Sequence, residues 1–208
     1  MIPRKLINQL DKDNLILHFT KDIVGEDRRL RFGHSIIDDG VISYLEGSFK
    51  DFGCNNMWFI VDIDTPNQFN RRVVATCHIA YDDKTNSAEM GCTVSPDFRG
   101  EKIGQELFNR GITWARMRGA ETIFMHCLSE NKTIQHIAKK NGMTVVTIDP
   151  SEKESTIRVN KIPLVAGFED TVMEQMAIYD MSVRNQKWFF ATFLKLIMRY
   201  DGLPKFTK

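Results

Sequence analysis

The sequence has no excess charge of either sign: 28 Lys and Arg stand against 27 Asp and Glu, a formal +1. That balance excludes a charge-repelled disordered chain and removes any global drive toward nucleic acid or an anionic membrane. Glycine and proline show no excess, 13 and 6 among 208 residues, so collagen-like and low-complexity fibres are excluded as well. Cysteine is limited to Cys54, Cys77, Cys92 and Cys127, with no CxxC pair and no histidine at zinc-finger spacing, so no metal site is expected. Three of these lie in apolar, strand-like runs, the setting of buried reduced thiols. Long hydrophobic runs are missing too. The longest apolar stretch, Trp188 to Met198, is broken by Thr192 and Lys195 and is too short to span a bilayer. The opening MIPRKLINQLDKDN has no apolar signal-peptide core. The expectation is a cytoplasmic protein without a membrane span, whose 42% hydrophobic residues can bury a real core.

What is present is a change of hydrophobic period along the chain. Leu15–Phe19 reads as a short strand, and residues 21–33 are dense in charge. Apolar residues at 37, 41, 45 and 49 then form a helical stripe. Met57–Ile63, Arg72–Tyr81 and Ala88–Val94 are β-branched or apolar runs separated by turn-rich segments, which predicts consecutive antiparallel strands. A helix is predicted over Ile103–Arg118 with Gly119 as its C-cap, then a strand Thr122–Leu128 and a short helix Lys132–Asn141. Met143–Ile148 and Thr156–Asn160 flank DPSEKES as a hairpin. This order predicts an α+β fold with a mixed, mostly antiparallel sheet flanked by helices.

From Phe168 to Tyr200 the pattern is helical throughout, as one helix or two, and apolar over most of its surface. We divide the chain into a domain of residues 1–165 and a C-terminal helical extension, 166–208, expected to pack on the domain or on a second subunit. Residues 184–208 hold six Lys and Arg against one Asp, so the neutral total conceals a basic tail.

Chemistry concentrates in VSPDFRGEKIG, residues 94–104, between a predicted strand and a predicted helix. Gly100 and Gly104 let the backbone turn tightly and approach a ligand. The unpaired N–H groups and positive dipole end of the following helix point into this loop, and Arg99 and Lys102 add cations. Together these features suit a pyrophosphate. The loop matches neither the GxxxxGK[ST] nor the GxGxxG spacing.

Residues 88–143 resemble the GNAT superfamily of acyl-CoA-dependent N-acetyltransferases. The resemblance rests on V-x-P-x-x-R-G-x-x-I-G, the helix and strand after it, and N-x(6)-A-x(3)-G-M. It implies a GNAT-like sheet in which the strand through Cys92 and Val94 pairs with the pantetheine arm of acetyl-CoA. It further implies that Arg99, Gly100, Glu101, Lys102, Ile103 and Gly104 cradle the pyrophosphate, and that Asn131 contacts the cofactor arm. Two positions depart from the family. Lys102 stands where the first glycine belongs, and fits only if its backbone stays in a region open to a side chain. Ala138 stands where many members carry a tyrosine as general acid.

The activity implied is transfer of an acetyl group from acetyl-CoA, the cosubstrate, to a primary amine on a small molecule or a protein, by direct attack. The alternative is a non-catalytic acyl-CoA-binding regulatory module, which Ala138 keeps open. His126, five residues before Asn131, is one candidate base because an imidazole suits proton transfer near neutral pH. Glu89, at the start of the cofactor strand, is the other, and His78 faces an unknown side of the adjacent strand. Arg28, Arg29 and Arg31 could attract an anion or belong to a salt-bridged helix end. No nucleic-acid partner is expected, and packing of the C-terminal helix on a second subunit would make a homodimer.

Overall fold

Leu15, Phe19 and Ile23 are all buried, and their spacing of four is helical rather than extended. The segment expected as a strand is therefore helix α1, Gln9–Leu17, which runs on into a wide turn over His18–Asp22. Asn8 starts it by accepting the Asp11 N–H at 3.0 Å, a local signal that outweighs the short apolar run LILHF. Helix α2, Gly25–Phe32, and helix α3, Asp38–Phe49, follow; α3 buries Val41 and Leu45 from the expected stripe. The computed structural model describes residues 2–199 apart from 7, 51, 66–70 and 161–163. Within the last helix it describes the side chains of 171–187 and 189–194.

Among the described residues seven strands form one sheet: β1 Arg4–Lys5, β2 Asn56–Asp64, β3 Arg71–Asp82, β4 Ser87–Val94, β5 Thr122–Leu128, β6 Thr144–Thr147 and β7 Glu152–Arg158. Their order is β1-β2-β3-β4-β5-β7-β6. Every neighbouring pair is antiparallel except β4 and β5. Those two run parallel and pair only over Ser87–Glu89 against Thr122–Phe124. Past that point they part, and the gap between them is the main opening in the sheet. The hairpin is tighter than the sequence suggests. Asp149 Oδ1 accepts the N–H groups of Ser151 and Glu152 at 2.7 and 2.9 Å, so β7 begins inside DPSEKES.

Alternation along the central strands feeds two cores. On one face Met57, Phe59, Ala75, Cys77, Ile79 and Met90 meet Leu107, Phe108, Trp114 and Ala115 of helix α4, Ile103–Arg118. Helix α5, Lys132–Lys140, adds Ala138 to this layer. On the other face Trp58, Ile60 and Val73 meet Leu15, Phe19, Val41 and Leu45. Each fully buried large side chain contributes roughly 1.5–3 kcal/mol.

The C-terminal extension is the single helix α6, Leu164–Arg199. Between Glu174 and Arg184 it is fastened to the sheet and to α4. Arg184 donates to Asp62 at 2.9 Å, Arg110 of α4 donates to Glu174 at 2.8 Å, and Arg71 donates to the Met181 carbonyl at 3.0 Å. Further along, Phe189, Phe190, Phe193 and Leu194 are exposed. No helix among the described residues is long and apolar enough to cross a membrane.

Candidate active-site cleft

Where β4 and β5 separate, a cleft of about 580 Å³ opens between the α2 side and α5. Cys92 and Val94 line it from β4, His126 and Cys127 from β5, and Arg99, Gly100, Lys102, Ile103 and Gly104 from the loop before α4. Asn131 lines it from the start of α5, where its side chain accepts the Ile134 N–H at 3.3 Å and caps the helix. Nine of the sequence-derived site residues thus meet in one place: Cys92, Val94, Arg99, Gly100, Lys102, Ile103, Gly104, His126 and Asn131. Glu101 and Glu89 do not line it; both are exposed, Glu101 on the outside of the loop and Glu89 on the last rung where β4 still pairs with β5.

The loop is built from main chain. Among the described residues, the backbone N–H groups of Gly100 through Gly104 donate to nothing else in the protein. They sit at the positive end of α4, the arrangement that holds a phosphate group. The loop turns through left-handed backbone at Gly100 with φ +87° and at Lys102 with φ +64°. Lys102 therefore adopts the conformation that the family's glycine would take, at a cost of about 1–2 kcal/mol for a residue with a Cβ. Arg99 is less free than a bare loop cation. Its Nη2 lies 2.6 Å from Asp27 of α2 and its Nε donates to the Val94 carbonyl at 3.3 Å, tying the loop to the edge of β4.

The opposite wall is made of side chains from distant elements. His126 is half-exposed, with Nε2 at 3.9 Å from a Glu154 carboxylate oxygen on β7 and its ring edge-on to Phe124. His78 is buried instead, stacked on Trp58 at 4.4 Å. Its Nδ1 lies 2.9 Å from Tyr44 Oη and its Nε2 3.1 Å from Asn56 Oδ1. Arg31 Nη2, which can only donate, reaches Tyr44 Oη at 3.2 Å. The proton order follows: Tyr44 gives its own proton to Nδ1, and His78 donates from Nε2 to Asn56. Burial, aided by the Arg31 cation, pushes His78 down to about 3, so it stays neutral and is spent on structure. Burial pushes the Cys127 thiol up, away from nucleophilic behaviour.

Ala138 explains one departure from the family pattern. It is fully buried on the core side of α5, so a side chain there meets the sheet and not the cleft. The face of α5 that does reach the cleft carries Thr133, His136, Ile137 and Lys140. The sequence reading did not single these out, although their spacing from the Asn131 cap places them on one helical face. Arg31 also lines the cleft, and which arginine of the 28–31 run would do so depends on where α2 begins.

Residues 38–143 match the model of the Acetyltransferase (GNAT) family. No curated protein sequence matches the chain. Among solved structures, the GNAT domain of S. lividans PAT is similar with a TM-score of 0.60 and 16% identity, over 76% of this chain and 89% of that one. Ribosomal-protein-alanine N-acetyltransferase from Brucella melitensis gives 0.58 and 14%, over 76% and 100%. A domain from Methanocaldococcus jannaschii gives 0.57 and 14%, over 76% and 97%. At these identities the likeness is one of fold.

Proposed function

The chain belongs to the GNAT acetyltransferase family, and we propose that it moves an acetyl group from acetyl-CoA to a primary amine by direct attack. The observation that carries this reading is the run of five unpartnered amides, 100–104, at the mouth of a gap between two parting parallel strands. The residues present fit the cosubstrate. Amides 100–104 would hold its pyrophosphate, the open edge of β4 at Cys92 and Val94 would pair with its pantetheine arm, and Asn131 would contact that arm. When bound it supplies a thioester whose carbonyl carbon accepts the amine nitrogen.

The chain's own part is to manage protons. His126 takes one from the attacking amine, with Glu154 close enough to orient the ring; Glu89 acting through water is the alternative base. As the C–N bond forms and the C–S bond breaks, the thiolate needs a proton. Ala138 offers none, which leaves His136 on the cleft face of α5, or water, to supply it.

In this reading residues 1–165 are the catalytic unit. Residues 166–208 extend it, and the exposed apolar end of α6 suits packing on a second copy. The free thiols Cys54, Cys77, Cys92 and Cys127 support a cytoplasmic setting. Ala138 favours one other reading, a module that binds acyl-CoA without turning it over. Free-thiol release from acetyl-CoA over a panel of primary amines and peptides separates the two. Release with at least one acceptor supports transfer. Tight acetyl-CoA binding with no release from any acceptor supports the binding module, and no binding removes both.

A further inference from the structure

Three arginines cluster in α2, and their surroundings differ. Arg28 is buried and fully used: it donates to the carbonyls of Phe19 and Ile23 at 3.0 and 3.1 Å and to Asp38 at 2.7 Å. Arg29 is a surface residue, paired with Glu26 at 2.7 Å and with Glu130. Arg31 lines the cleft, and its single hydrogen bond among the described residues is to Tyr44 Oη, a neutral partner. Its Nε is buried with no acceptor among the described residues. No carboxylate lies within ion-pair distance of it among the described residues.

The position of this cation is enforced. Its guanidinium lies flat on Gly91 of β4, so close that a Cβ added there would sit 2.6 Å from both Cζ and Nη2. Gly91 lies two residues past the last paired rung, Glu89, where β4 leaves β5. The rings of Phe32 and Tyr44 flank the guanidinium at 5.3 and 5.8 Å, and the Tyr44–His78–Asn56 chain fixes Tyr44 from below. A glycine, a tyrosine and a neutral histidine thus hold one cation, without an ion pair among the described residues, over β4 on the His126 face of the sheet. A buried guanidinium with unspent donors lacks a planar, two-oxygen anion, and a carboxylate matches that fork.

We propose that Arg31 anchors a carboxylate on the acceptor, so that the amines acetylated here are carboxylate-bearing ones of the amino-acid type, and polycationic amines are repelled. This rests on the acetyl-transfer reading above. Glu89 and Glu154 stand on the same face, on the two strands that flank His126's, where they suit the ammonium end of such a zwitterion.

The test pairs each acceptor with the amine left by removing its carboxylate: phenylalanine with phenethylamine, lysine with cadaverine. Wild-type protein is expected to favour the carboxylate member by roughly tenfold or more in kcat/KM. In Arg31→Met that ratio falls toward one through KM, and Arg31→Lys restores part of it; a purely structural role would lower both members together. A second measurement does not depend on turnover or on a variant that folds. The Arg31 Nε–H resonance of the wild-type chain is followed by NMR against N-acetylglycine and against N-acetylglycinamide, and only the carboxylate is expected to move it. Turnover with equal preference, or an Nε–H resonance that neither compound moves, overturns the proposal and leaves acetyl transfer intact. A resonance that N-acetylglycine moves, with no turnover of any acceptor, keeps the Arg31 site and removes the transfer reading.

Discussion

The two halves of the cleft are made of different material. The half before α4 is main chain: five amides of consecutive residues without an acceptor in the protein among the described residues, in a loop with two left-handed positions before a helix end. The half under α2 is side chain: Arg31 of α2 and His126 of β5 line it, and Tyr44 of α3 and His78 of β3 stand behind Arg31. A main-chain site tolerates changes of side chain as long as the backbone path survives, which is how a lysine can stand where the family has a glycine. A side-chain site has no such slack. It is also the half that can vary between acceptors without disturbing the cosubstrate.

The contrast predicts where substitutions hurt and where they do not. Removing the base should do most. His126→Ala is expected to lower kcat by about 10²-fold or more while leaving acetyl-CoA affinity unchanged, read by thiol release and titration calorimetry. Full retained turnover would move the proton to Glu89. Next is a change of backbone: Lys102→Pro forces φ near −65° against the observed +64° and deletes one donor. Acetyl-CoA should then bind roughly 10- to 100-fold more weakly by calorimetry.

A pH experiment reaches the side-chain half. His78 is held near 3 when folded, first by burial and then by Arg31, whereas its ordinary value is 6.5. Below pH 6.5 the unfolded chain takes up a proton that the folded chain refuses. Stability is therefore full above that pH and falls as pH drops toward 3, by up to about 1.4 kcal/mol per pH unit from this residue. Urea midpoints at pH 7.5, 5.5 and 4.5 should show that loss, and His78→Asn should show a shallower one. The smallest effect tests the backbone half from the other direction. Lys102→Gly should keep acetyl-CoA affinity within about threefold and raise stability by about 1 kcal/mol, read as a higher Tm. A large loss of affinity would mean that the ammonium, not the amide, does the binding.

The same contrast explains what could be read in advance. The loop was legible because its function needs a local spacing of glycines and a following helix, and the helix begins at Ile103 as its apolar face predicts. The central strands were legible because both faces of the sheet are covered and their apolar runs are long. Leu15–Phe19 was not, since a five-residue apolar run satisfies either period until Asn8 and Ile23 are counted with it. Arg31 was visible only as one of three arginines. Singling it out requires knowing that α2 starts at Gly25 and that Gly91 leaves room above β4. His136 was hidden by attention to position 138, which faces the core.

The most direct test of the central claim is amide hydrogen exchange of the full chain with and without acetyl-CoA. The account predicts protection of the Gly100–Gly104 amides and of the free edge of β4 at Gly91–Val94 on binding. Binding that leaves those amides exchanging at their unliganded rate would contradict it.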